Sequence, residues 1–355
     1  MKALILAGGQ GTRLRPITFT RAKQLVPVAN KPILFYAIES IKAAGITDIG
    51  VIVGDTADEV MGALGDGGSW GVSITYIPQE APLGLAHAVK IAEEYMAGDP
   101  FVMYLGDNLI KDGITAFVDE FRAGGCEAQI LLAHVPNASH FGVAELAADG
   151  HVVRLIEKPK HPPSDLALVG VYLFRPEIFK AVNAIEPSAR GELEITDAIQ
   201  WLIDNGYRVR PHIIGGWWKD TGKLDDMLEA NRIMLDAIET DVAGEVDQRS
   251  EIHGRVRIGL GSRLEGSVVR GPAVIGENCE IVDAYIGPYT SVGDGCRIIA
   301  SELEHSIMLQ GARIEDAGVR VADSLMGCNA VVRRAAGRPA ALRVMLGDNS
   351  EVDIV

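Results

Sequence analysis

The sequence predicts an α/β domain with a Rossmann-like, mostly parallel sheet, followed by a solenoid of short strands. Three observations carry that prediction. Apolar strand patterns alternate with amphipathic helix patterns over the first two-thirds of the chain. A glycine-rich turn closes the first of those strands. Beyond residue 240 a 17-residue repeat replaces helical periodicity.

Taken in order, "KALILA" reads as a buried strand and "PILFYAIESIKAAG" as a helix that stops at Gly45. "DIGVIVG" is a second buried strand, "TADEVMGALGDG" a short helix and "VSITYIPQ" a third strand. "GLAHAVKIAEEYM" carries apolar residues at helical spacing, and "PFVMYLGD" is a strand ending in polar residues. "GVAELAADGHVVRLIEK" predicts a hairpin turning at Asp149-Gly150. "LALVGVYLFRP" is a further strand, and "ELEITDAIQWLIDNG" a helix closed by Gly206.

"ETDVAGEVDQRSEI" then reads as a polar link, giving domains at 1–240 and 251–355. Past it, Ile258, Ile275 and Val292 recur 17 apart, each followed by glycine. Two further apolar columns keep the period: Ile252, Val269, Ile286 and Leu264, Ile281, Ile298. Such columns mark coils that stack one apolar corner on the next. The step of five or six residues between columns resembles the hexapeptide repeat of left-handed parallel β-helices. The handedness is implied by that resemblance alone, because ordinary crossovers are right-handed. Cys279 and Cys296 share the period and are expected as stacked interior thiols, with a disulfide between them the lesser alternative. After residue 300 the pattern weakens, returning as "MGCNAVV" and "LGDNSEV".

Composition narrows the function. The chain of 355 residues is 48% hydrophobic and 23% charged, enough for sizeable cores. A formal net charge of −15 argues against nucleic acid as a partner. No apolar run approaches a membrane span, and the first stops at Gly8, too soon for a signal-peptide core. Four cysteines make no disulfide framework, so a reducing cytoplasm is expected.

The turn "AGGQGTRLRP" fits neither common phosphate loop. A dinucleotide fingerprint needs a third glycine where Leu14 stands, and a P-loop needs Gly-Lys-Ser/Thr. Arg13, Arg15, Arg21 and Lys23 nevertheless crowd one stretch, and cations beside exposed backbone N–H groups suit a triphosphate. Gln79 follows a strand, and its amide complements the O4 and N3–H edge of thymine or uracil. Asp107 and Asp220 each end a strand pattern, and two carboxylates suit one hard divalent cation. No Ser-His-Asp set, cysteine nucleophile or His/Cys metal cluster is evident, which favours direct displacement.

The stretch "LAGGQGTRLRPITFTRAKQLVPVANKPIL" resembles the signature of sugar-nucleotide pyrophosphorylases, G-G-x-G-T-R-L-x-P followed by K-x-L-x-P-V-x-x-K-P. Further matches run through residue 235, and with its repeat tail the whole chain is similar to the long-form thymidylyltransferases of that family. The resemblance implies that dTTP and glucose 1-phosphate react with Mg²⁺ to give dTDP-glucose and pyrophosphate. It implies catalytic roles for Arg13 and Lys23. Leu6, Gly8, Gly9, Gly11, Thr12 and Arg13 would bind the nucleotide, with Gln79, Pro82, Gly84 and Asp107. Asn108, Gly142, Glu157, Lys158, Val169, Tyr172 and Arg190 would bind the sugar phosphate. Asp107 and Asp220 would hold the metal. Two positions depart from the pattern: Lys223 replaces the threonine of W-x-D-T-G-T, and Phe141 stands where many relatives have tyrosine.

Alternatives stay open at this level. UTP or another sugar 1-phosphate would fit the same residues. Acyl transfer in the solenoid is a second activity to consider, although His253 and His305, its only histidines, sit in no recognisable motif. A non-catalytic relative would be expected to have lost Lys23 or an aspartate. The open coil end of a solenoid suggests a homo-oligomer.

Overall fold

The computed structural model describes residues 1–9 and 11–334. It forms two compact units that interleave along the sequence. One joins the N-terminal strand, Arg21–Leu25 and Ile33–Asp220; the other joins Gly11–Thr20, Val26–Pro32 and the chain from Thr221 onward.

The first unit is built on a nine-stranded sheet. Its centre is Lys2–Leu6, flanked in parallel by Asp48–Val53 and Phe101–Leu105, with Ser73–Pro78 parallel at the edge. Leu166–Phe174 runs antiparallel beside Phe101–Leu105 and carries the hairpin Gly142–Leu146 and Val152–Glu157. Both faces of the sheet are apolar because both are covered. Ala3, Ile5 and Ala7 point into one core with Leu34, Ile38 and Ile41 of helix α1 (Ile33–Ala43). Leu4 and Leu6 point into the other with Val89, Ile199 and Leu202, from the helices Leu85–Ile91 and Ile195–Asp204. This two-sided burial explains why the strands read as continuous apolar runs.

The predicted helix at "GLAHAVKIAEEYM" is two helices, Leu85–Ile91 and Glu93–Met96. Between them the Ala92 N–H bonds to Val89 O at 3.1 Å, a tighter turn than the α-helical one. The predicted hairpin turn at Asp149-Gly150 is present, with Gly150 at φ +86°.

The second unit is a parallel β-helix of three sheets. The three predicted columns pair in register, one per sheet: Ile258–Ile275–Val292, Leu264–Ile281–Ile298 and Ile252–Val269–Ile286. Each coil buries about one large apolar side chain per sheet, worth roughly 1.5–3 kcal/mol apiece. Strands already pair at Asp241–Val242 and Glu245–Val246, inside the stretch that reads as a polar link. Beyond residue 300 the columns persist while the spacing changes. Ile298 pairs with Ile314, 16 on, and Leu303 with Val321, 18 on, so corners that lose or gain residues hide the repeat. "MGCNAVV" lies in the last described coil, and "LGDNSEV" lies outside the described residues. Cys279 and Cys296 are buried free thiols whose pKa values burial raises, Cys296 to about 12.

Candidate active site

The register of the first unit sets the site. Leu6 pairs with both Ile52 and Leu105, so Gly8, Gly54 and Asp107 follow three strands that end together. The Gly106 N–H bonds to Leu6 O and the Gln79 N–H to Val53 O, adding a fourth segment to that edge. Carboxyl ends of parallel strands are where open α/β sheets bind ligands.

Lys23 lies at this edge with only 5% of its surface exposed. Its Nζ donates to Asp107 Oδ2 at 2.5 Å and reaches Asp220 Oδ1 at 3.5 Å. The two carboxylates meet because Trp218–Asp220 pairs antiparallel with Asn108–Ile110, placing Asp220 opposite Asn108. Asn108 is itself fixed: its Nδ2 donates to Asp107 Oδ1 at 2.9 Å, and Trp218 Nε1 donates to its Oδ1 at 2.6 Å. Burial pushes the Asp107 carboxyl up, but the Lys23 charge and the hydrogen bonds from Lys23 and Asn108 outweigh it. The carboxyl is held below its ordinary range.

This donor set fits a divalent cation. Two carboxylates already converge on one cationic centre, and both offer hard oxygen ligands of the kind Mg²⁺ takes together with phosphate and water. Among the described residues no group of three or more metal-ligating side chains gathers, so this is not an all-protein cage.

Gln79 and Gly84 form a second cluster. Gln79 Nε2 lies 3.0 Å from His87 Nδ1 and 3.4 Å from Gly84 O. Burial, with the Lys90 charge second, lowers the His87 pKa, which favours the neutral ring whose Nδ1 can accept from the amide. The other end, Oε1, faces Gly8. Gly84 has φ +105°, and a Cβ there would stand 2.4 Å from Leu193 O, so only glycine fits. Pro82 is exposed in the loop between them.

A third cluster surrounds Glu157, which pairs with Gly142 across the hairpin. Lys158 Nζ is 3.5 Å and Arg190 3.7 Å from its Oε1, and Thr196 donates to its Oε2 at 3.3 Å. Burial raises the Glu157 pKa, Lys158 opposes that, and the Glu194 charge adds to it. Arg190 is held chiefly by Glu194 at 2.9 Å, so an incoming phosphate would share it. Val169 and Tyr172 are buried; Val169 can offer a ligand only its backbone. Pairing with Ala128–His134 shifts register between Leu168 and Tyr172, which leaves that backbone outside the ladder. Tyr172 stacks on Phe174, and burial, then the Glu157 charge, raises its hydroxyl pKa. Phe141 packs edge-on against Trp218.

Leu6 and Gly9 belong to the first unit, whereas Gly11, Thr12 and Arg13 belong to the second. There Gly11 adopts φ +61° and opens the turn Thr12–Leu14. The Arg13 guanidinium lies beside Gly222.

Two side chains in the first clusters escaped the sequence reading. Gln24 is 2% exposed, its amide lies against Gly9, and its Oε1 has no hydrogen-bond partner. An orphaned buried acceptor at the carboxyl edge points to a ligand donor. His87 orients the Gln79 amide. Lys23-Gln24 adjacency is the one signal that could have found Gln24. His253 and His305 pair with Glu251 and Asp323 on the solenoid surface.

Residues 2–237 match the family model described as nucleotidyl transferase. A glucose-1-phosphate thymidylyltransferase of Streptomyces antibioticus is 59% identical over 100% of this chain and 99% of its own length. One of Streptomyces griseus is 54% identical with the same coverage. A low-salt glycan biosynthesis nucleotidyltransferase of Haloferax volcanii is 46% identical over the full length of both chains. A crystal structure from Bacillus anthracis, described as a glucose-1-phosphate thymidylyltransferase in complex with sucrose, superposes with a TM-score of 0.63 at 38% identity. It covers 68% of this chain and 97% of its own.

Proposed function

The chain belongs to the nucleotidyl transferase family, and from that premise we propose that it forms dTDP-glucose and pyrophosphate from dTTP and glucose 1-phosphate. The observation that carries the chemistry is the buried Lys23 ammonium seated between Asp107 and Asp220. The choice of thymidine nucleotide and glucose follows the two Streptomyces relatives.

In this reading a phosphate oxygen of the sugar phosphate attacks the α-phosphorus of the nucleotide in line. The new P–O bond forms as the α–β bridge breaks, and pyrophosphate leaves with the electron pair. Lys23 neutralises the charge that grows on the leaving group. Arg13 is assigned the same triphosphate on its place in the motif. Asp107 and Asp220 would hold Mg²⁺, which supplies further positive charge when bound. Gln79, held by His87, reads the base edge, while Leu6, Gly8, Gly9 and Gly84 let the nucleotide approach the backbone. Glu157 accepts from sugar hydroxyls; Lys158 and Arg190 meet the sugar phosphate, beside Asn108, Gly142, Val169 and Tyr172. Residues 1–240 would carry this chemistry and 251–355 assembly or regulation, in a cytoplasmic homo-oligomer. No helix among the described residues is long and apolar enough to cross a membrane.

Pyrophosphate release across dTTP, UTP and GTP, each with several sugar 1-phosphates, tests the reading. The dTTP and glucose 1-phosphate pair should be fastest. A clear preference for UTP would replace the nucleotide, and no release with any pair would indicate a non-catalytic relative.

Glu157→Gln gives a further expected result. A carboxyl whose folded pKa is raised favours folding below its unfolded pKa and loses that contribution as pH rises through the folded one. At neutral pH the wild-type charge is therefore a cost, and the neutral amide should melt no lower than wild type. Its KM for glucose 1-phosphate should rise roughly tenfold, the order of a lost hydrogen bond to a charged group. Melting curves at pH 5 and 7.5, with steady-state kinetics, check both parts.

A further inference from the structure

The loop between the helices Ile178–Ala184 and Ile195–Asp204 carries Arg190 and lies within the first unit. It is folded on itself. The Ser188 N–H bonds to Glu192 O and the Gly191 N–H to Ser188 O, both at 2.8 Å, with Gly191 at φ +77°. Next in the chain, Leu193 donates its N–H to Leu83 O at 2.8 Å and accepts from the Ala86 N–H at 3.0 Å. The backbone entering Glu194 is therefore pinned on both sides of its peptide.

Glu194 stands at the N-terminal boundary of helix Ile195–Asp204, yet its carboxylate does not cap that helix. At 4% exposure it turns instead to Arg190. Arg190 Nε donates to Glu194 Oε1 at 3.0 Å, and Nη2 donates to Oε1 and Oε2 at 2.9 Å each. Ser188 closes the group: its Oγ donates to Glu194 Oε1 at 2.8 Å and accepts from the Arg190 N–H at 3.2 Å. The other carboxylates near the guanidinium hold it less firmly. Glu192 meets Nη2 at 3.0 Å from an exposed position, and Glu157 only at 3.7 Å. Among the described residues Arg190 Nη1 makes no hydrogen bond, so that nitrogen stays open to a ligand.

We propose that Glu194 is a positioning residue: it locks the Nε–Nη2 edge of Arg190, so the sugar phosphate meets a guanidinium already in place. This rests on the assignment of Arg190 to the sugar phosphate. An arginine stem is rich in rotamers, and a planar fork matched to one carboxylate removes that freedom before the ligand arrives. The same carboxylate also offsets the charge that a phosphate would feel. Arg190 is 40% exposed, where water screens such an offset, whereas the alignment of the fork is not screened. Alignment therefore outweighs charge, and loss of Glu194 should weaken the site.

The test is steady-state kinetics on the full chain with both substrates varied. Glu194→Ala should raise the KM for glucose 1-phosphate roughly tenfold, the scale of a lost hydrogen bond to a charged group, and leave that for dTTP within about twofold. Glu194→Gln keeps an oxygen at the Oε1 position, which takes three of the four bonds, and should recover most of the loss. In an Arg190→Ala background, Glu194→Ala should change neither KM further. Equal rises for both substrates, a fall in the KM for glucose 1-phosphate, or an undiminished effect without Arg190 overturns the inference. Should Glu194→Ala fail to fold, Ser188→Ala is read in its place, with the same selective rise expected at a smaller size. Arg190→Ala alone separates two readings. If it leaves the KM for glucose 1-phosphate unchanged, the assignment of Arg190 fails first; if it raises that KM and the Glu194 variants do not, only the positioning role fails.

Discussion

Lys23→Ala should lower turnover by roughly 10²–10³-fold, the usual consequence of removing a preorganised charge stabiliser from a water-poor site. The KM for glucose 1-phosphate should move far less, because the neighbours proposed for it, Glu157, Lys158 and Arg190, form a separate cluster. The acid limb of the pH–rate profile should also shift. In the wild type the Asp107 pKa is depressed chiefly because Lys23 overrides the effect of burial. Its charge is therefore present at every pH above that depressed value and lost only as pH falls through it. Without the ammonium, burial and the neighbouring Asp220 both favour the protonated form, so activity should begin to fall at higher pH than before. A stopped assay for pyrophosphate from pH 4.5 to 8.5 reads both effects. Turnover within tenfold of wild type across that range would refute the role of Lys23.

Much of the fold was legible because its apolar patterns answer to simple burial. The three solenoid columns could be read directly, since each coil repeats the same inward position. The repeat fades after Ile298 for a local reason: a corner one residue shorter and another longer change the count while the inward side chains stay aligned. Helix Leu224–Leu235 was not read, and its buried face includes Asn231, which reads as polar in sequence. Asn231 Oδ1 accepts from the Ala29 N–H and from Ser291 Oγ, 202 and 60 residues away, so nothing local marks the position as interior.

The site was legible mainly through its motif. Lys23 meets carboxylates 84 and 197 positions away, a distance no spacing argument covers. Asp107 and Asp220 could be nominated as strand-end acids, but their convergence depends on the antiparallel pairing of Asn108–Ile110 with Trp218–Asp220. Gln24 and His87 had no such flag. Each is an ordinary polar residue until the fold places Gly9 or Gln79 against it.

Asp107→Asn and Asp220→Asn should each reduce turnover by at least about 10²-fold, and each should abolish the rise in melting temperature expected of the wild type with Mg²⁺ and dTTP together. The two should differ in stability without ligand. Asp107 accepts from Lys23 at 2.5 Å and from Asn108 at 2.9 Å, so an amide there keeps one acceptor at most. Its NH₂ group would either face the Lys23 ammonium or displace the Asn108 bond, and in both cases the negative charge beside the ammonium is gone. Breaking one partner of a buried pair is the costly change, so Asp107→Asn should melt well below wild type. Asp220→Asn leaves the shorter pair intact and should melt close to wild type while losing the same metal response. Differential scanning fluorimetry with EDTA, Mg²⁺ alone, dTTP alone and both together separates the metal effect from the fold effect and needs no turnover. A full Mg²⁺-dependent shift retained in both variants would remove these carboxylates from the metal site and move the search to other oxygen ligands.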